Sequence, residues 1–181
     1  METASRLPGT GRKRGNRKGL ISGLAFVGCL ALTDCGGDRQ PISGSVPAVT
    51  LQSYAGESYA LNSAEGVTLL VFWATWCQPC LMEIPSLMKL HEKYRSRNFR
   101  VLAINVDDPE GQKVKAISAN YGINYPLLVG SEETMKQFGG ISALPTSFLI
   151  GSDGKIKEKL QGLLPEPELE RKVLEVLGPT G

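Results

Sequence analysis

Histidine, tryptophan and long apolar runs are scarce in this sequence. Its 181 residues include one histidine, two tryptophans and four cysteines, and the apolar run at residues 20–32 is thirteen residues long. A membrane-spanning helix needs about 20 apolar residues, more than this run supplies. With 41% hydrophobic and 21% charged residues, the composition excludes both a polytopic membrane protein and an acidic disordered chain. The length suits one compact domain with an appendage.

Positive charge is concentrated at the N-terminus. Residues 1–34 hold six of the 20 basic residues and two of the 18 acidic ones, which leaves 14 basic and 16 acidic residues in the remainder. The formal net charge of +2 therefore becomes −2 once this segment is set aside. Because such a balance gives no electrostatic attraction to phosphates, we predict no nucleic-acid partner.

The first 34 residues predict an export signal. A basic stretch precedes the apolar run, and the apolar core of a secretory signal is about 7 to 15 residues long. Residues 35–47 contain several Gly, Ser and Pro residues, which predicts a flexible tether. The folded domain is expected over residues 48–181.

The segment Leu32-Thr33-Asp34-Cys35 resembles the lipobox of bacterial lipoproteins, in which the cysteine is lipidated. Cys29, which follows Gly28, is the alternative lipidation site. A conventional cleaved signal and an uncleaved anchor stay open as well. Lipidation implies a membrane anchor, because each buried CH₂ group of an acyl chain contributes about 0.8 kcal/mol.

Alternating strand and helix patterns predict an α/β domain. The β-branched and aromatic run at residues 67–73 indicates a strand that is buried on both faces. Further strands are predicted at 99–106, 126–129, 146–150 and 155–161, and helices at 79–95, 109–121, 131–138 and 166–177. Short strands around 49–51 and 59–61 precede them. This order implies a mixed central sheet with helices on both faces.

The segment Trp76-Cys77-Gln78-Pro79-Cys80 follows the buried strand, where open α/β sheets present their sites. Pro79 fits the first turn of a helix, which places Cys77 at or near the N-cap. The unpaired N–H groups and the positive end of the helix dipole stabilise an anion there. We therefore expect Cys77 to be exposed and to form a thiolate near neutral pH.

Cys80 lies one helical turn further on, within reach of a disulfide with Cys77. Disulfide exchange needs one thiolate that attacks and a second thiol that resolves the mixed disulfide, and we assign these roles to Cys77 and Cys80. Half of a zinc site is an alternative, but beyond these two the candidate ligands are His91 and the export-segment cysteines. A structural disulfide gains little from so short a loop. His91 is expected to be a solvated residue on the polar side of its helix.

Three further motifs accompany this core: Glu83-Ile84-Pro85, the inserted stretch 107–125, and Leu144-Pro145-Thr146 with a later Asp153-Gly154 turn. Together with the Trp-Cys-x-Pro-Cys core, they resemble the TlpA/ResA-like family of exported thioredoxin-fold proteins. The resemblance covers roughly residues 46–178 and implies a thioredoxin fold with an N-terminal extension and a central insertion. It also implies a cis bond before Pro145, with the backbone at Leu144 and Pro145 pairing with the client chain.

Glu83 shares a helix face with Cys80, three residues earlier. If Glu83 is buried, desolvation raises its pKa and lets it exchange a proton with Cys80. The resemblance supports this role, since family members carry a Glu here that tunes the thiols; an exposed helical Glu is the alternative. Trp76 is expected to cover the disulfide and to contact clients, or to have a structural role alone.

These features predict a membrane-tethered thiol:disulfide oxidoreductase outside the cytoplasm, which acts mainly as a reductant and needs no cofactor beyond the Cys77–Cys80 disulfide. The resemblance implies disulfide-bearing clients, apocytochromes c among them, and an upstream membrane thiol reductant. A copper-handling protein for oxidase assembly is the alternative, although such proteins add a His to the thiols. A thiol peroxidase is a third reading, although we find no pocket of Thr and Arg around a peroxidatic Cys.

Overall fold

The computed structural model describes residues 44–63 and 65–179. The predicted export signal, Cys29, Cys35 and most of the predicted tether lie outside these residues. In the part of the chain that is described, no helix is both long and apolar enough to cross a membrane.

Seven strands and four α-helices make up the domain within these residues. In chain order they are β1 (Thr50–Gln52), β2 (Ser58–Ala60), β3 (Val67–Trp73), α1 (Gln78–Tyr94), β4 (Phe99–Asn105), α2 (Gln112–Tyr121), β5 (Leu127–Val129), α3 (Glu132–Gln137), β6 (Thr146–Ile150), β7 (Ile156–Gln161) and α4 (Glu166–Leu177), with a 3₁₀ turn at Arg95–Arg97. The bounds of β3, β6 and α4 are those predicted. Helix α2 begins three residues later than predicted, because Gly111 occupies its N-cap with a left-handed backbone at φ 76°.

The central sheet is mixed and has the strand order β5-β4-β3-β6-β7. Strands β3, β4 and β5 are parallel, whereas β6 is antiparallel to β3 and β7 is antiparallel to β6. All seven residues of β3 are buried, as the apolar run predicted. Trp73 pairs with Asn105 in register, so the carboxyl ends of β3 and β4 meet at one edge of the sheet.

Helices cover both faces of this sheet, which confirms the predicted layering. Alternate residues of β3 enter two separate apolar clusters. One cluster includes residues from α1, α2 and α4, and the other includes Phe138 at the end of α3 and Leu61 after β2. The short strands β1 and β2 form an antiparallel sheet of their own. Ser53 and Tyr54 connect this hairpin to the edge strand β5 through Leu128 and Leu127.

Candidate active site

Four residues separate the end of β3 from the start of α1, and the last of them, Cys77, is the N-cap residue of the helix. The backbone of Cys77 is extended (φ −81°, ψ 97°), and its sulfur accepts a hydrogen bond from the backbone N–H of Cys80 at 3.4 Å. Pro79 stands in the first turn, where no intrahelical partner exists for the N–H that proline lacks. The predicted position of Cys77 is confirmed. A thiolate of Cys77 is stabilised there by the free N–H groups and the helix dipole.

Cys77 and Cys80 are joined in a disulfide, with Cα atoms 5.3 Å apart. The expectation that Cys77 is exposed is wrong for this oxidised form, because each cysteine is only 3% exposed. Both belong to the apolar cluster on the α1 side of the sheet, which also includes Trp73 and Ala74. Burial follows from the position of the disulfide, since the strand that precedes it and the helix that carries it both pack into this cluster.

A tight turn leads from β3 to the disulfide and projects Trp76 outwards. The backbone N–H of Cys77 donates to the carbonyl oxygen of Ala74 at 3.1 Å and so closes the turn. Trp76 lies in the turn with 73% of its surface exposed, and Met82 in the first half of α1 is 59% exposed. Two large apolar side chains therefore lie on the surface close in sequence to the disulfide.

The segment before β6 runs alongside the start of this turn. Thr146 pairs with Phe72 in the antiparallel register, so the preceding residue, Pro145, lies opposite Trp73 at the end of β3. The Leu144–Pro145 peptide bond is cis, as the resemblance implied. Pro145 is buried and Leu144 is half-buried. The fold therefore brings the predicted client-binding segment to the same edge of the sheet as Cys77.

Glu83 is 2% exposed on the buried face of α1, one turn after Cys80. Its Oε2 atom has no hydrogen-bond partner among the described residues. Burial raises the pKa of Glu83 to about 7 from its ordinary value of 4.5, because desolvation penalises the charged form. The burial that the sequence argument required is present, and the exposed alternative is wrong. Glu83 can hold or release a proton near neutral pH.

A cavity of about 10 Å³, close to the size of one water molecule, lies beside Cys80. Its other lining residues are apolar or aromatic: Val71, Trp73, Ile84, Leu87, Ala103, Ile123 and Tyr125. Such surroundings disfavour a charged sulfur at Cys80, in contrast to the helix start at Cys77. The indole N–H of Trp73 has no hydrogen-bond partner among the described residues.

Comparisons with known proteins agree with this geometry. The model of the AhpC/TSA family matches residues 42–159. The chain belongs to the AhpC/TSA family. It is 30% identical to the thiol-disulfide oxidoreductase ResA of Bacillus thuringiensis (strain Al Hakam) over 134 residues, which cover 74% of this chain and 77% of the relative. It is 28% identical to ResA of Geobacillus kaustophilus over 151 residues, 82% of this chain and 86% of the relative.

A solved structure has the same fold. The crystal structure of a thiol:disulfide interchange protein of the thioredoxin family, from Chlorobium tepidum, superposes with a TM-score of 0.68 at 28% identity, covering 78% of this chain and 99% of the other. The predicted thioredoxin fold and the ResA-like resemblance are thus confirmed, and the chain is a thiol-disulfide oxidoreductase. Its substrates are therefore thiols and disulfides.

His91 differs from its prediction. It is half-buried on the oxidoreductase's α1, where its Nδ1 accepts the backbone N–H of Val101 in β4 at 3.2 Å. Its ring also meets the ring of Tyr125 edge to face, with centroids 6.3 Å apart. Burial lowers the pKa of His91, since desolvation disfavours the imidazolium. The periodicity of the helix placed His91 on the polar side of α1. It could not show that β4 packs against that side.

Two other residues near the site were missed by the sequence analysis. Tyr125 is buried against the cavity beside Cys80, and burial together with the charge of Glu83 raises the pKa of its hydroxyl. Asp107 follows β4 and binds the turn before Cys77. One signal was available for Asp107: it comes just after a buried strand, and the carboxyl ends of parallel strands share an edge of the sheet.

Proposed function

We propose that this oxidoreductase is exported, is held at a bacterial membrane by a lipid on Cys35 or Cys29, and reduces disulfides of client proteins such as apocytochromes c. The observation that carries the proposal is the Cys77–Cys80 disulfide at the start of α1, with the buried carboxyl group of Glu83 one turn further on, whose Oε2 has no hydrogen-bond partner among the described residues. The basic and apolar N-terminal segments support export, and the lipobox-like segment supports the anchor.

In the first step, the thiolate of reduced Cys77 attacks one sulfur of the client disulfide. The client S–S bond breaks, a mixed disulfide forms between Cys77 and the client, and the second client sulfur leaves as a thiolate that takes up a proton. Stabilisation of the Cys77 thiolate at the N-cap supports this assignment, because the thiolate is the reactive form of cysteine.

In the second step, the thiol of Cys80 gives its proton to the carboxylate of Glu83 and attacks the sulfur of Cys77. The mixed disulfide breaks, the Cys77–Cys80 disulfide forms, and the client leaves with both sulfurs reduced. The client gains two electrons and the oxidoreductase loses two, so the two sulfurs suffice as the redox group. An upstream membrane thiol reductant then restores the dithiol. The pKa of about 7 supports proton exchange by Glu83 near neutral pH.

Client binding is assigned to Trp76, Leu144 and Pro145. Trp76 offers a large exposed apolar surface next to Cys77, which suits contact with an unfolded client. The segment Leu144–Pro145 ends before β6 at the same edge of the sheet, and its backbone can pair with an extended client chain. Both assignments follow the resemblance and are supported by this placement.

Trapping tests the proposal. In a full-length Cys80→Ser variant, Cys77 can still attack but the mixed disulfide cannot be resolved, so the client stays bound to Cys77. A Cys77→Ser variant is the matched control and should retain nothing. Mass spectrometry after non-reducing electrophoresis identifies the bound chains. Recovery of apocytochromes c supports the proposal, whereas an equal yield from the Cys77→Ser control contradicts the assigned roles of the two cysteines.

The direction of electron flow needs its own measurement. The pair Gln78-Pro79 between the cysteines is similar to the pairs of reducing relatives. A reduction potential near that of thioredoxin, about −270 mV, is expected for a reductant. A value near −120 mV would reverse the direction and make the protein an oxidant.

A further inference from the structure

Asp107 binds the turn that carries the active site. Its Oδ1 accepts the backbone N–H of Thr75 at 2.8 Å, and its Oδ2 accepts the hydroxyl of Thr75 at 2.6 Å. One carboxylate thus takes two hydrogen bonds from a single residue, which fixes both its backbone and its side chain. Hydrogen bonds to a charged acceptor are stronger than neutral ones. We call this pair of bonds the Thr75 clamp.

The carboxylate of the Thr75 clamp is itself fixed by β4. The amide Nδ2 of Asn105 donates to Asp107 Oδ1 at 2.8 Å, and the amide oxygen of Asn105 accepts the backbone N–H groups of Asp107 at 3.2 Å and Asp108 at 2.8 Å. Asn105 is 1% exposed and pairs with Trp73 in the sheet register. The clamp is therefore tied to the paired, buried ends of β3 and β4.

The clamped residue lies inside the turn that ends at Cys77. The turn is closed by the bond from the Cys77 N–H to Ala74, and Thr75 is its first central residue. Fixing Thr75 therefore restricts the positions of the next two residues, the exposed Trp76 and the N-cap residue Cys77. The anion-stabilising N–H groups of α1 act only on a sulfur that lies at the helix start, so the position of the turn controls the reactivity of that sulfur.

We propose that Asp107 is a positioning residue of this oxidoreductase: through the Thr75 clamp it holds the sulfur of Cys77 at the N-terminus of α1. The proposal rests on the role of Cys77 as nucleophile in the proposed function. Asp107 acts through Thr75 and takes no part in bond exchange. Its contribution is the position of the Cys77 sulfur at the helix start and the fixed direction of Trp76.

Tyr54 extends the same network to the N-terminal hairpin. Its hydroxyl lies 3.2 Å from the amide oxygen of Asn105 and 2.6 Å from the carbonyl oxygen of Asp108. The close approach of its ring requires Gly111, because a Cβ atom at that position would lie 2.4 Å from the ring. The hairpin that precedes the central sheet thereby supports the loop that holds Asp107.

Alkylation of Cys77 by iodoacetamide tests the positioning role without any client. The measurements use full-length protein in a reduced Cys80→Ser background, so that Cys77 is the reacting thiol of the site, and follow the rate across pH 5–9. Asp107→Ala removes the clamp, and we expect the midpoint of the pH profile to lie about one unit higher and the alkylation rate at pH values below the parent midpoint to be about tenfold lower. Thr75→Val removes one bond and should lower the rate about threefold.

Conservative variants separate position from charge and from folding. Asp107→Asn keeps acceptor and donor groups of the right shape, and Thr75→Ser keeps the hydroxyl, so both should stay within threefold of the parent protein. Asp108→Ala is the matched control, because that carboxylate caps α2 at Val114 and makes no bond to Thr75. It should lower the melting temperature and leave the alkylation profile unchanged.

The outcomes distinguish failure of this inference from failure of the proposed function. A low thiol pKa in the parent protein that persists in Asp107→Ala overturns the positioning role alone. An Asp107→Asn variant as slow as Asp107→Ala also overturns it, because charge and not position would then be the cause. An ordinary, unreactive thiol in the parent protein overturns both this inference and the assignment of Cys77 as nucleophile.

Discussion

Two carboxyl groups flank the disulfide, and the protein surrounds them in opposite ways. Glu83 is buried on the core side of α1, and its Oε2 has no hydrogen-bond partner among the described residues. Asp107, on the loop side, accepts three hydrogen bonds from Thr75 and Asn105. Glu83 lies one helical turn after Cys80. Asp107 holds Thr75, which lies two residues before Cys77.

The difference shows how one fold assigns different tasks to the same functional group. A carboxyl group without partners loses little when it gains or loses a proton near its raised pKa, so it suits proton exchange. A carboxylate that accepts three hydrogen bonds is costly to move, so it suits the fixing of a loop. Substitutions at the two positions should therefore have different effects.

The largest expected effect concerns the pH dependence of stability. The folded-state pKa of Glu83, about 7, is above its unfolded value of 4.5. The stabilisation from Glu83 is therefore fully present below pH 4.5 and is lost as the pH rises through 7, by on the order of 3 kcal/mol at pH 8. Glu83→Gln should remove this dependence. Urea unfolding of the oxidised protein between pH 4.5 and 8 measures it.

A matched control is available on the same helix. Glu92 is exposed and forms an ion pair with Arg95, so Glu92→Gln should retain the full pH dependence of the parent protein. If Glu83→Gln retained that dependence as well, Glu83 would be ionised in the folded state and the contrast with Asp107 would disappear.

The second prediction compares the two carboxylates in the chemical step. A thionitrobenzoate group attached to Cys77 as a mixed disulfide is released when Cys80 attacks, and its absorbance reports the rate. Glu83→Gln should slow the release at pH 7 about 100-fold, because general base catalysis contributes at least that much. Asp107→Asn, which removes the other charge, should change the release rate less than threefold. Equal losses in both variants would show that charge near the disulfide matters more than proton exchange.

Local patterns predicted the elements that carry the disulfide. The apolar run of β3 and the proline in the first turn of α1 are properties of contiguous residues, and both elements form where expected. The spacing along the helix placed Glu83 on the face of Cys80, but it did not decide between a buried and an exposed side chain; the structure buries it. The cis bond before Pro145 was implied by the family resemblance and not by any local pattern.

Contacts between distant residues could not be predicted in this way. The bonds from Thr75 to Asp107 span 32 residues and depend on the register of β3 with β4. The burial of Cys77 depends on the apolar cluster beneath the disulfide, and the contact of His91 depends on an N–H group of β4. Each requires the three-dimensional arrangement of strands, which periodicity within one helix does not contain.

The third prediction concerns stability on the loop side. Asp107→Ala removes three hydrogen bonds and leaves the N–H of Thr75 without its acceptor, so the free energy of unfolding should fall by about 2 kcal/mol. Asp107→Asn should cost less than about 1 kcal/mol, because the amide preserves most of these contacts. Guanidinium unfolding at pH 7 measures the free energy of unfolding of both variants and of the parent protein. A loss in Asp107→Ala below about 0.5 kcal/mol would mean that the Thr75 clamp is too weak to fix the turn.

The smallest expected effect has the opposite pH sign to that of Glu83. Burial lowers the folded-state pKa of His91 below 6.5, so its contribution is fully present above pH 6.5 and is lost as the pH falls and the unfolded chain binds the proton first. Protonation also removes the acceptor for the N–H of Val101, a bond worth about 0.5 kcal/mol or more. His91→Gln should therefore remove this acid-side loss, so that stability rises more steeply as the pH falls from 6.5 to 5, while the decline between pH 4.5 and 7 that Glu83 causes remains. In a Glu83→Gln background the acid-side loss should persist. If that loss vanished together with the effect of Glu83, the two groups would titrate as one unit. Tyr125 would then couple them, because its ring contacts His91 and its pKa is raised by burial and by the charge of Glu83.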